Sequence, residues 1–220
     1  MTTRFLIALN VIGFLCELYA GGPGILSGFG DPRSRNVLLE AALIPQAVLQ
    51  YGQWWRIVTG AFMHSGLLHI GVNMLSLWFL GRFIEYALGP WRMLVVYVVS
   101  LVASGLGVVY FSDPLTPTLG ASGAIFGLFG ALFAIGLRLG KPGMELVRAN
   151  IGILAVNLII TFTVPAISWQ AHVAGLLAGF AFTFLIYAPP RRVAPVVVES
   201  GTGRALDAEY ESPNDPPLSQ

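Results

Sequence analysis

The chain has 220 residues, 55% of them hydrophobic and 10% charged, with a mean hydropathy of +0.74 and a net charge of +1. That balance excludes a soluble globular protein in favour of an integral membrane protein, and it offers no basic surface for nucleic acid. A single cysteine, Cys16, excludes a disulfide framework.

Six continuous apolar runs follow one another, each near the ~20 residues that a helix needs to cross a bilayer. None alternates with a period of two, so a closed barrel is excluded and an all-α bundle is expected. The first run, Arg4 to Ala20, shares with signal peptides a basic start and small residues at its end, but Asn10 and Glu17 interrupt the apolar core such a peptide needs. We read it as a span. Some 45 residues then separate it from the second run. They carry Leu38-Leu39, Ala41-Ala42-Leu43-Ile44, Tyr51, Trp54 and Trp55, a composition suited to the headgroup level, so this long loop is expected to lie in the interface and to flank a site.

The second run covers Leu67 to Leu88. Ser65 suits its N-cap, which places His69 and Asn73 in the first two turns on one face. The third, Met93 to Phe111, is followed by a connection, Ser112 to Leu119, without a basic residue. Ser122 opens the fourth, Gly120 to Leu139, along which Gly123, Gly127 and Gly130 form a small-residue face. The fifth runs from Leu146 to Val164. Ser168 suits the N-cap of the sixth, Trp169 to Ala188, leaving His172 in its first turn above Gly175 and Gly179. Pro189-Pro190, Pro216-Pro217 and five acidic residues follow, so residues 1–188 read as a six-helix membrane domain and 189–220 as a disordered cytoplasmic tail.

Basic residues set the orientation. Arg4, Arg82, Arg92, Arg138, Lys141, Arg148, Arg191, Arg192 and Arg204 fall on one side and only Arg33, Arg35 and Arg56 on the other, so both termini are expected in the cytoplasm. Spans two, four and six then all enter from outside. His69, Asn73, Ser122 and His172 converge at one level near the outer surface, although the topology was derived without them.

Lipid penalises unpaired polar groups, and the small-residue faces of spans four and six allow their backbones to approach closely. A Ser122 hydroxyl within reach of a His172 nitrogen is the contact through which a base activates a serine nucleophile. The oxyanion formed on attack needs donors, for which His69, Asn73 and the Ser122 amide at a helix N-terminus are candidates. No Asp or Glu occurs from Leu115 to Met144 or from Leu146 to Val198, which argues for a dyad over a triad. The rival chemistry is zinc held by the chain's three histidines, His64, His69 and His172. Against it, the His-Glu-x-x-His spacing is missing and no nearby carboxylate serves as a base. The reading calls for no metal and no cofactor.

These residues resemble the rhomboid family of intramembrane serine proteases. The likeness rests on Trp55-Arg56, on His64-Ser65-Gly66-Leu67-Leu68-His69-Ile70-Gly71-Val72-Asn73-Met74, on Gly120-Ala121-Ser122-Gly123-Ala124-Ile125-Phe126-Gly127, and on Ala171-His172-Val173-Ala174-Gly175, with Gly81, Glu85, Gly89 and Arg92 around the end of the second span. It implies Ser122 as nucleophile, His172 as general base and then acid, and His69 and Asn73 as oxyanion donors. It adds Phe126 packed on the His172 ring, His64 as a supporting residue, and Glu85 and Arg56 as structural anchors. The implied substrate is a transmembrane segment of another membrane protein, locally unwound near the cut, within the lipid bilayer. Arg outnumbering Lys eleven to one suggests a bacterial inner membrane. The alternative reading is a non-catalytic rhomboid-like scaffold that binds transmembrane helices.

Overall fold

All six apolar runs are helices in the computed structural model, which describes residues 1–28 and 31–189. In chain order the helices are α1 (Thr2–Gly21), α2 (Pro32–Ala41), α3 (Pro45–Tyr51), α4 (Arg56–Phe62), α5 (Leu67–Leu88, with a π turn over Leu77–Gly81), α6 (Pro90–Phe111), α7 (Ser122–Leu139), α8 (Lys141–Thr163) and α9 (Trp169–Ile186). Among the described residues the only β pairing is one bridge between Leu43 and Thr118. The chain is an integral multi-pass membrane protein. Met1–Tyr187 form one compact unit; the second unit, Ala188–Gln220, is described only at Ala188 and Pro189, so all of the expected tail beyond Pro189 lies outside the described residues.

Three spans begin earlier than hydropathy predicts, α1 slightly, at Thr2, and α6 and α8 by about a turn. α6 starts at Pro90 and α8 at Lys141, because proline is at home in a first helical turn, where its missing N–H has no partner to lose. Gly89 (φ +81°) and Gly140 (φ +70°) break the chain just before them, in backbone that side-chain-bearing residues rarely adopt.

α7 is the central column. Its span window is 72% buried, against 11% for α8, which therefore lies at the periphery. Glycines explain the difference. A Cβ on Gly123 or Gly127 would strike Ser104 and Ser100 of α6, and one on Gly175 or Gly179 of α9 would lie 2.0 Å from the carbonyl oxygen of Gly123 or Gly127. Three helices thus meet nearly backbone to backbone, the geometry that lipid favours where water supplies no hydrophobic drive between helices. Below this seam Leu77, Ile84, Met93, Val96, Leu128 and Ile135 fill the core.

At the opposite end of the bundle the Glu85 carboxylate accepts from Thr2 N (2.7 Å), Thr3 N (2.9 Å) and Thr3 Oγ1 (2.7 Å), capping the otherwise unpaired start of α1. The long loop is folded. Asp31 caps α2 by accepting from Arg33 N and Ser34 N. Arg56 donates to the Leu39 and Ala42 carbonyls and to Gln53, with its guanidinium over the Trp55 ring. Leu43 and Thr118 exchange backbone hydrogen bonds, and Gly120 N donates to Gly60 O at 2.8 Å. The loop is therefore laced to the segment that leads into Ser122.

Candidate active site

Ser122 is the first residue of α7. The first bond that closes the helix runs from Ile125 N to Ala121 O (3.1 Å), so the amides of Ser122, Gly123 and Ala124 lie ahead of it, at the positive end of the helix dipole. Two residues earlier, Gly120 has φ +115°, and a Cβ there would sit 2.7 Å from Cε1 and 2.8 Å from Nε2 of His69. Glycine alone lets that ring lie against the chain beside the serine.

His172 stands in the first turn of α9, which Ser168 caps by accepting from Ala171 N (3.2 Å). Its Nε2 is 2.7 Å from Ser122 Oγ. The ring stacks on Phe126 with centroids 4.0 Å apart and planes 12° from parallel, so one face is fixed by an aromatic one turn below the serine. The other ring nitrogen, Nδ1, is 2.7 Å from Thr161 Oγ1 of α8. No acidic group takes that place.

His69 sits in the first turn of α5. Ser65 N donates to its Nδ1 (3.3 Å), with Ser65 Oγ at 3.1 Å, so the neutral ring carries its proton on Nε2. This corrects the expected N-cap: Gly66, with φ +105°, takes the cap position, and Ser65 is turned back onto the histidine. Glycine suits Gly66 on two counts: side-chain-bearing residues rarely adopt that φ, and a Cβ there would lie 3.0 Å from the Leu26 carbonyl oxygen. Asn73, one turn on, donates one amide hydrogen to His69 O (2.9 Å) and keeps a second. His69, Asn73, Ser122, Phe126, Thr161 and His172 all line one cavity of about 750 Å³.

His64 does not reach that cavity. Fully buried, it packs edge-on against the His69 ring at 5.2 Å, with Nδ1 facing the Phe62 carbonyl at 3.2 Å. Burial, and then the neighbouring His69, push its pKa down to about 3, so it stays neutral and acts as a wall behind His69. Its backbone N–H points at both carboxylate oxygens of Glu17 in α1, at 3.1 and 3.2 Å. Among the described residues no three His, Cys, Asp or Glu side chains come together as a metal site.

Two residues near the site escaped the sequence reading. Glu17 carried a signal, since a carboxylate deep in an apolar run demands a partner. Thr161 carried none, because Thr161 and Thr163 are equivalent in sequence and only the rotation of α8 decides that the first faces His172.

The family model described as Rhomboid domain matches residues 51–189. The chain is 31% identical over 179 residues to the rhomboid protease GluP of Bacillus subtilis, covering 81% of this chain and 33% of that protein. It is 38% identical over 136 residues to the putative rhomboid protease YdcA of the same organism, covering 61% and 68%. Against the rhomboid protease GlpG of Yersinia pestis the identity is 36% over 138 residues, covering 61% and 49%. The chain thus spans a third of the length of GluP, about half that of GlpG and about two thirds that of YdcA.

Proposed function

This chain belongs to the rhomboid family, and on that premise we propose that it is an intramembrane serine endopeptidase with Ser122 as nucleophile and His172 as its base. The observation that carries the reading is the 2.7 Å contact between Ser122 Oγ and His172 Nε2.

In the proposed reaction His172 Nε2 takes the hydroxyl proton as Ser122 Oγ attacks the scissile carbonyl carbon. The negative charge on the carbonyl oxygen meets the second Asn73 amide hydrogen, the His69 Nε2 proton and the Ser122 amide. His172 then gives its proton to the departing amine nitrogen, leaving an acyl-enzyme. Water enters through the cavity and attacks the acyl carbon as His172 Nε2 takes its proton, and that proton then passes to Ser122 Oγ as the ester bond breaks, releasing the acid and the free serine. Cleavage should therefore rise with pH as His172 becomes neutral.

The substrate we infer is a transmembrane segment of another membrane protein. Helical peptide bonds are shielded, so Gly, Pro or small residues near the cut favour the local unwinding that exposes a carbonyl. The excess of basic residues beside the opposite end of the bundle supports cytoplasmic termini, with the site facing outward from a bacterial inner membrane.

The test is direct. Purified protein is treated with a fluorophosphonate probe, and wild type and Ser122→Ala are each incubated with a labelled library of membrane helices. Labelling on Ser122 and cleavage lost in the variant are the expected results. Folded protein that takes no probe, or cleavage that survives Ser122→Ala, overturns the proposal and leaves the helix-binding scaffold.

A further inference from the structure

The side of His172 turned away from Ser122 is occupied. Thr161 Oγ1 lies 2.7 Å from His172 Nδ1 and also 2.7 Å from the backbone carbonyl of Asn157, one turn back along α8. A hydroxyl owns one proton. Two oxygens at 2.7 Å with no hydrogen between them repel, so the proton belongs on the line to the Asn157 carbonyl, as is usual for threonine within a helix. Thr161 then has only lone pairs to offer the imidazole, and the proton between them must be on Nδ1. The consequence reaches Ser122: a neutral ring protonated on Nδ1 has its lone pair on Nε2, the atom that faces the serine.

From this geometry we propose that Thr161 is the positioning residue of the reaction, taking the role that a carboxylate plays in a triad by holding His172 in the tautomer able to accept the Ser122 proton. The proposal rests on the protease reading above. Burial supports it independently. α8 buries only Gly143, Val147 and Thr161, and Gly143 and Val147 lie in its opposite half, against Gly136. On the half of α8 that borders the cavity, Thr161 is the one residue withdrawn from lipid, at 3% exposure, and what it meets there is the histidine. A hydroxyl fixes a tautomer as an acceptor without adding a negative charge beside the ring, which suits a site surrounded by lipid.

The experiment uses full-length protein in nanodiscs, labelled with 15N histidine, with the His172 signals assigned by comparison with His64 and His69 variants. Wild type, Thr161→Ser and Thr161→Val are compared by ring 15N shifts at neutral pH and by kcat and KM on a transmembrane substrate. In wild type His172 is expected to carry its proton on Nδ1. Thr161→Val is expected to move that proton to Nε2 and to lower kcat by about tenfold or more with little change in KM, since a base in the wrong tautomer loses the chemical step and not substrate capture. Thr161→Ser, which keeps the acceptor, should restore both. Wild-type His172 protonated on Nε2, or a valine variant that leaves the tautomer where it was, overturns the assignment. Should the valine variant not fold, the wild-type tautomer and the serine variant decide. Cleavage surviving in Ser122→Ala would remove the protease reading alone, because the tautomer measurement needs no turnover.

Discussion

Adding one methyl group at Gly175 tests whether the glycine seam sets the distance between serine and histidine. A Cβ there would lie 2.0 Å from the carbonyl oxygen of Gly123 and 2.9 Å from its carbon, whereas ordinary contact begins at 3.4 Å. To admit it, α7 and α9 must part by about 1.4 Å at that point. Gly123 adjoins Ser122 and Gly175 is one turn from His172, so most of the shift passes to the pair. Their separation grows from 2.7 Å towards about 4 Å, beyond a hydrogen bond. A misplacement of about 1 Å costs roughly a hundredfold in rate. The stability cost is smaller, because overpacking of about 1–3 kcal/mol is offset by the ~1 kcal/mol that alanine gains over glycine within a helix. Gly175→Ala is therefore expected to insert and fold, to melt within a few degrees of wild type, and to lose about two orders of magnitude in kcat/KM and in fluorophosphonate labelling together. Gly152→Ala on α8 is the control, since nothing lies within 4 Å of its Cβ position and its rate should not change. Cleavage at the wild-type rate by Gly175→Ala would refute the claim that backbone contact sets the catalytic distance.

Asn73→Ala should lower kcat by about a hundredfold while KM stays near wild type, because its proposed partner is the charge that develops in the transition state; steady-state kinetics showing a raised KM with kcat preserved would contradict this. His64 is held at about 3 by burial, whereas an unfolded histidine takes its proton near 6.5. The unfolded chain therefore binds more protons between those values, and native stability is lost as pH falls through that window, by up to ~1.4 kcal/mol per pH unit. His64→Leu should melt with a shallower pH dependence than wild type between pH 7 and 5, and parallel curves would count against the assignment. Glu85 accepts four bonds, from the Met1 ammonium as well as from Thr2 N, Thr3 N and Thr3 Oγ1, and removing them should cost roughly 1–3 kcal/mol. Glu85→Ala is thus expected to lower the melting temperature yet to cleave normally when assayed cold; an unchanged melting temperature would show that the cap contributes nothing.

Much of this protein is legible along the chain. Lipid demands long continuous apolar helices, so the six spans appear in hydropathy to within a few residues, and the prolines that shift two of the starts are themselves visible. Ser168 is read correctly as a cap because a helix N-terminus is a local problem with a local solution. Ser65 is not, because the cap position falls to Gly66, which has left-handed backbone and lies against the Leu26 carbonyl, an approach that joins residues forty positions apart. The expected fate of the tail falls on residues outside those described.

The sequence by itself determined which segments cross the bilayer and that a serine, two histidines and an asparagine stand near one end of three of them, since length, hydropathy and helical period are properties of each segment alone. Only the tertiary structure decided that Nε2 of His172 meets Ser122 Oγ, that Glu17 holds the backbone of His64, and that Thr161, not Thr163, faces the imidazole. Those contacts depend on how each helix is rotated about its own axis. In lipid that rotation is set by where glycine and serine let neighbouring backbones touch, a fit between surfaces that no single segment specifies.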